Sequence, residues 1–122
     1  MARARIADDI GREAVDKAVR EAALRDDYAM AVRYTLQLLA EHSEGNTLEV
    51  RVPPFGAVQC IEGPRHTRGT PPNVIETDAE TWLALATGRL SWAEAAASGS
   101  VLASGQRADL TGHIPVMRLP RS

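Results

Sequence analysis

Apolar residues in the first third of the chain recur every three or four positions, the spacing of one face of an α-helix. The pattern predicts a first helix over residues 6–24 and a second over residues 28–41. Asp26 and Asp27 separate the two helices and can cap the second. On the polar face of the first helix, acidic residues precede basic ones by four positions, an order that supports a helix. These pairs are Asp8 with Arg12, Glu13 with Lys17, Asp16 with Arg20 and Glu21 with Arg25.

The middle of the chain changes to the alternating pattern of half-buried strands. It predicts strands over residues 48–52, 57–62 and 74–77, the first two joined as a hairpin through Pro53-Pro54. The intervening stretch, residues 63–73, contains two glycines, three prolines and three basic residues, and it predicts a loop.

Two short helices follow, each opened by residues at capping-box spacing. Thr77 and Glu80 precede the first, and Ser91 and Glu94 precede the second. A last strand is predicted over residues 100–104, and a final helical turn or two over residues 107–114.

The order of these elements predicts one α+β domain in which helices cover a mainly antiparallel sheet. Within residues 1–122 we expect a helical N-terminal segment over residues 1–27, a core over residues 28–114 and a tail over residues 115–122.

Residues 74–110 read VIETDAETWLALATGRLSWAEAAASGSVLASGQRADL. They combine a strand, an acidic cap, an aromatic-Leu-Ala-Leu helix closed by Thr87-Gly88, an Ala-rich second helix, and a strand between Gly99 and Gly105. This stretch resembles the sterol carrier protein 2 (SCP-2) family, in particular its bacterial branch, and the resemblance extends over roughly residues 30–114. It implies an SCP2-like fold, with a sheet of about five strands and helices on one side. It also implies non-enzymatic binding of sterols, fatty acyl chains or phospholipids in an apolar tunnel.

The candidate ligand-binding residues are large apolar side chains between the helices and the sheet, where an incompletely filled layer would leave an apolar cavity. They are Leu36, Leu39, Val52, Val58, Trp82, Leu85, Leu102 and Leu110. Ordinary core packing is the alternative role for each of them.

In the loop over residues 63–73, Arg65, His66 and Arg68 could hold the anion of a lipid headgroup or of a partner. A solvated basic loop and catalysis by His66 are the alternatives.

The composition of the chain argues against several classes of protein and of site. The net charge of −2 lacks the positive footprint of a nucleic-acid-binding protein. Cys60 is the single cysteine, so no intrachain disulfide forms. Without an apolar leader or a run of about 18 apolar residues, we expect a cytoplasmic protein with no transmembrane association. The three histidines stand in different elements, so no metal site is expected.

No nucleophile elbow, dinucleotide-binding glycine motif or zinc-protease motif occurs, so we expect no cofactor and no enzymatic activity. The sequence favours a non-catalytic lipid- or sterol-binding carrier-like domain. The alternative is a protein-interaction or accessory module that acts with a partner enzyme or as a homodimer, without a lipid ligand.

Overall fold

The computed structural model describes residues 4–20, 24–63 and 73–119. Its elements, in chain order, are α1 (Asp8–Arg20), α2 (Arg25–His42), β1 (Leu48–Val52), β2 (Gly56–Cys60), β3 (Asn73–Glu76), α3 (Ala79–Ala86), α4 (Trp92–Ser98) and β4 (Leu102–Ser104). The predicted α+β class is confirmed.

The four strands of this sheet lie in the order β2-β1-β3-β4. β1 pairs antiparallel with β2 and parallel with β3, so that Val50 lies beside both Val58 and Ile75. β3 then pairs antiparallel with β4. Two of the three pairings are therefore antiparallel, as predicted, and the described residues form one strand fewer than the expected number of about five.

The helices cover one face of the sheet, and the core lies between. β1 alternates accordingly, with Leu48, Val50 and Val52 fully buried and Arg51 exposed on the other face. α1 crosses α2 very closely, since a Cβ added at Gly11 would lie 2.2 Å from the Tyr34 ring. Only glycine permits this approach without displacing the ring.

The start of α2 differs from the prediction. The helix begins at Arg25, three residues early, because the Asp27 carboxylate accepts the Leu24 backbone N–H at 3.2 Å from inside the first turn. The Glu13–Lys17 ion pair forms at 3.4 Å. Asp8 contacts Arg5 and the Tyr34 hydroxyl instead of forming the expected pair with Arg12.

The caps of the two short helices, α3 and α4, can be compared with the prediction. The α4 capping box is confirmed, with Ser91 and Glu94 exchanging side-chain to backbone hydrogen bonds of 3.1 Å. The α3 cap was assigned one residue too early. Asp78, not Thr77, accepts the Thr81 N–H at 2.8 Å, and Thr77 donates its hydroxyl to the carbonyl of Ser100.

The predicted helical stretch over residues 107–114 is wrong, because these residues form turns. Gly112 has a φ of +84°, which a right-handed helix cannot contain. Beyond it, the backbone N–H groups of Val116 and Met117 both donate to the carbonyl of Ala86 at the end of α3. Both side chains are buried, so the beginning of the expected tail packs against the core.

Candidate ligand-binding site

A groove of about 660 Å³ lies between α2, the edge strand β2 and the residues that precede α1. Its volume falls within the range of small-molecule sites. We call it the α2–β2 groove. Its lining consists of Ala4, Arg5, Ile6, Met30, Arg33, Leu36, Gln37, Glu41, Phe55, Gly56, Ala57 and Val58. Several of these residues, including Arg5, Glu41 and Ala57, are exposed, so the groove is open to solvent along one side.

The α2 wall of the groove follows from helical spacing. Met30, Arg33, Gln37 and Glu41 are three or four positions apart and form one stripe beside the fully buried stripe of the same helix. Across from them, Gly56 has no side chain to fill the space. A Cβ at Gly56 would lie 3.5 Å from a methyl group of Leu36, an ordinary van der Waals distance.

Two arginines reach the groove, and their surroundings differ. Arg5 forms a bidentate ion pair with Glu41, through Nε to Oε2 at 2.6 Å and Nη2 to Oε1 at 3.0 Å. The hydrogen bonds from Arg5 lower the pKa of the Glu41 carboxyl group, so it is ionised at neutral pH. Arg33 donates Nε–H to the carbonyl of Ala29 at 3.2 Å. Within residues 4–20, 24–63 and 73–119, no carboxylate forms an ion pair with Arg33.

Comparison with known families agrees with the fold and the sequence pattern. A family model described as "Bacterial SCP ortholog" matches residues 24–116, about three quarters of the chain. The chain belongs to this family. A search of curated proteins finds no match to it.

The position of the match divides the chain into two parts. The matched residues contain α2, the whole sheet, α3 and α4, and therefore most of the groove. The match begins after α1. It also leaves out residues 4–6, which form one wall of the groove. Membership in the family indicates a lipid-carrier type of domain.

The eight residues predicted to contact a ligand do not come together in one place. Leu36 and Val58 line the groove. Five others, Leu39, Val52, Trp82, Leu85 and Leu110, have at most 1% of their surface exposed and belong to the core. Leu85 also borders a second pocket of about 430 Å³ beside α4. The assignment of a ligand to these eight residues stays a prediction.

The predicted inner position of Leu102 is wrong. Leu102 is 69% exposed, because the β3–β4 register places it opposite Glu76, which in turn lies beside Arg51. Paired residues share one face of a sheet, and this is the face that the helices do not cover. The alternate residue of β4, Ala103, pairs with buried Ile75 instead.

The sequence prediction missed most of the groove. The stripe of Met30, Arg33 and Gln37 could have been found from its helical spacing, but it mixes apolar and polar residues and therefore resembles a solvated face. The participation of Arg5 and Ile6 had no local signal, since their partners on α2 are more than thirty residues away. The anion-binding candidates Arg65, His66 and Arg68 lie outside the described residues.

Cys60 ends β2 on the buried side of the sheet. Burial raises the pKa of its thiol to about 11, so the reactive thiolate is scarce at neutral pH. In the described part of the chain, no group of three or more His, Cys, Asp or Glu side chains is arranged to hold a metal ion. None of the described helices combines the length and the hydropathy needed to cross a bilayer.

Proposed function

We propose that this chain is a non-catalytic lipid-binding, carrier-like domain of the cytoplasm, and that its ligand occupies the α2–β2 groove. The observation that carries the proposal is a groove with both apolar and polar lining, in which one cation, Arg33, has no acidic partner among the described residues. Membership in the SCP family supports the same class of ligand.

The apolar part of the groove suits a hydrocarbon chain. Ile6, Met30, Leu36, Phe55 and Val58 approach it from three different segments of the protein. Each methylene group that such a surface removes from water contributes about 0.8 kcal/mol. A chain of ordinary fatty-acyl length would therefore obtain most of its affinity here without any polar contact.

The polar part suits an anionic headgroup. The guanidinium of Arg33 can donate charge-assisted hydrogen bonds to a carboxylate or a phosphate. Arg5 is less available, because both of its donating nitrogens on that side already hold Glu41. The preferred ligand is thus an amphiphile with an acidic head, such as a long-chain fatty acid.

The test is a titration of the protein with hexadecanoate and with hexadecanol, followed by displacement of the fluorescent fatty acid cis-parinaric acid. We expect saturable micromolar binding of hexadecanoate. Arg33→Gln should weaken it about tenfold, the equivalent of roughly 1.4 kcal/mol for one lost charge-assisted contact, and should leave hexadecanol unchanged.

Arg51→Gln is the matched control, because Arg51 lies on the uncovered face of the sheet and pairs there with Glu49. It should bind both ligands like the wild type. If no lipid class binds saturably, the proposal is contradicted. If the chain then formed a concentration-dependent dimer in light scattering, the accessory-module interpretation would be favoured.

A further inference from the structure

One wall of the α2–β2 groove is a short segment outside any helix or strand, residues 4–6, which we call the N-terminal strap. Its attachment to α2 is polar and regular. The backbone N–H of Ile6 donates to Oε1 of Gln37 at 2.8 Å, and Nε2 of Gln37 donates back to the carbonyl of Ile6 at 3.0 Å. One helical turn further, Glu41 holds Arg5. Two side chains of a single helix therefore fix the strap.

The strap is much less firmly held than the helix that follows it. α1 buries Ala14, Val15 and Ala18 in the core, whereas Ile6 is only half-buried and Arg5 is exposed. Exposed ion pairs contribute little to stability, and salt screens them. Opening of the strap therefore does not require α1 or the core to unfold.

We propose that the N-terminal strap determines ligand specificity: when closed, it restricts the groove to amphiphiles with a single hydrocarbon chain and slows their release. This inference rests on the proposed function of the groove. With the strap in place the groove has α2 and β2 as one wall and the strap with Ile6 as another, and it is open to solvent along one side. Without it, the side that faces the start of α1 is open, and a two-chain phospholipid, which carries twice the hydrocarbon, can enter.

Glu41 and Gln37 are the residues through which the strap acts, and they act by position. Neither needs to contact a ligand. Glu41 neutralises Arg5, which leaves Arg33 as the cation available to the headgroup. Loss of Glu41 would weaken the attachment of the strap, which Gln37 still holds, and would leave Asp8 as the remaining acidic partner of Arg5 among the described residues. Both changes favour a larger anionic lipid.

The experiment compares the full chain with the variants Glu41→Gln and Gln37→Ala. The release rate of cis-parinaric acid is measured by stopped-flow dilution, and the uptake of a two-chain phosphatidylglycerol is measured with vesicles of that lipid. We expect release from Glu41→Gln to be about two- to fivefold faster than from the wild type at low salt. We also expect measurable phosphatidylglycerol uptake where the wild type takes up little.

Added salt should accelerate release from the wild type more than from Glu41→Gln, since the variant keeps only the Arg5–Asp8 ion pair at the strap. The matched control is Glu13→Gln, which removes an exposed carboxylate paired with Lys17 on α1, away from the groove. It should behave like the wild type. Amide exchange of Ile6 reports whether the strap has opened in each variant, independently of any ligand.

Two outcomes are distinguishable. If the wild type binds neither cis-parinaric acid nor phosphatidylglycerol, the proposed function fails, and the inference fails with it. If the wild type binds cis-parinaric acid, and the variants exchange the Ile6 amide faster yet keep the wild-type release rate and lipid preference, the groove binds lipid but the strap plays no part in selecting it.

Discussion

The two sides of α2 form opposite kinds of surface from one helix. Toward α3, Thr35 and Leu39 are fully buried, and Nε1 of Trp82 donates to the Thr35 hydroxyl at 2.8 Å. Thr35 in turn donates to the carbonyl of Ala31, so the buried hydroxyl both accepts and donates. Toward β2, the stripe that includes Arg33 meets Gly56 and leaves an open groove.

The difference lies both in what opposes α2 and in the helix itself, since the groove stripe includes Arg33 and Gln37. Trp82 and Leu85 fill the space on the closed side with large side chains. On the open side the opposing element is an edge strand that begins with glycine, and the remaining wall is the N-terminal strap. The groove therefore lies where a mixed face of α2 meets a small and incomplete partner element.

The largest effect should come from the closed side. Trp82→Ala removes the largest fully buried side chain and the partner of Thr35, and it should lower the free energy of unfolding by about 3–5 kcal/mol in urea denaturation. Met30→Ala, on the groove side of the same helix, should cost less than half as much because Met30 is only half-buried. Equal losses would remove the distinction between the two sides.

Cys60 marks the buried end of β2, two residues beyond the groove residue Val58. With a thiol pKa of about 11 in place of the ordinary value of 9.0, its thiolate fraction at pH 7.5 is lower by roughly two orders of magnitude. Modification by a neutral disulfide reagent should therefore be at least about 100-fold slower in the native protein than in urea. A rate close to that of the unfolded chain would mean that the groove extends to Cys60.

Filling the groove tests the open side directly. Gly56→Phe should place a ring between Arg33 and Leu36, where an added Cβ makes only ordinary contacts, and should weaken hexadecanoate binding tenfold or more. Stability should change by less than about 1 kcal/mol, since aromatic residues suit a strand better than glycine does. Gly56→Ala is the control and should bind nearly normally. Unchanged binding by Gly56→Phe would place the ligand elsewhere.

The parts of the fold that the sequence predicted depend on neighbours within a few residues. The α4 capping box joins Ser91 to Glu94, and the β1–β2 hairpin needs only local alternation. The prediction for Leu102 failed because the face on which this residue lies depends on its pairing with Glu76. A strand of three residues has too few alternations to show which face is inward. The family resemblance supplied the class of domain but not the position of a site.

The groove could not be predicted because one of its walls is held by contacts between residues that are far apart in the sequence. Arg5 and Glu41 are 36 positions apart, and each by itself resembles an ordinary charged residue on a solvated surface. Their pairing exists only after α1 has turned back along α2 and Gly11 has allowed the close crossing. The pattern of apolar and polar positions along the chain does not reveal such a contact.

The smallest effect concerns pH and acts through the same pair. The pKa of the Glu41 carboxyl is lowered chiefly by hydrogen bonds from Arg5, and that of Asp8 chiefly by the Tyr34 hydroxyl and then by Arg5. A carboxyl with a depressed folded-state pKa contributes stability that is complete above its unfolded value, 4.5 for Glu41, and is lost as pH falls through the folded value. Attachment of the strap should therefore be constant from pH 8 to about pH 5 and weaken below that range.

The measurement is the release rate of cis-parinaric acid across this range, with Ile6 amide exchange recorded in parallel. Besides Arg5, the charged groups that act on Glu41 are Asp8 and His42, so His42→Gln serves as the control that removes any contribution from the imidazole. Release should accelerate only at acidic pH in the wild type and in His42→Gln, and Glu41→Gln should release at the faster rate throughout. A release rate that changed between pH 8 and pH 6 and became constant in His42→Gln would assign the pH response to the end of α2 instead of to the strap.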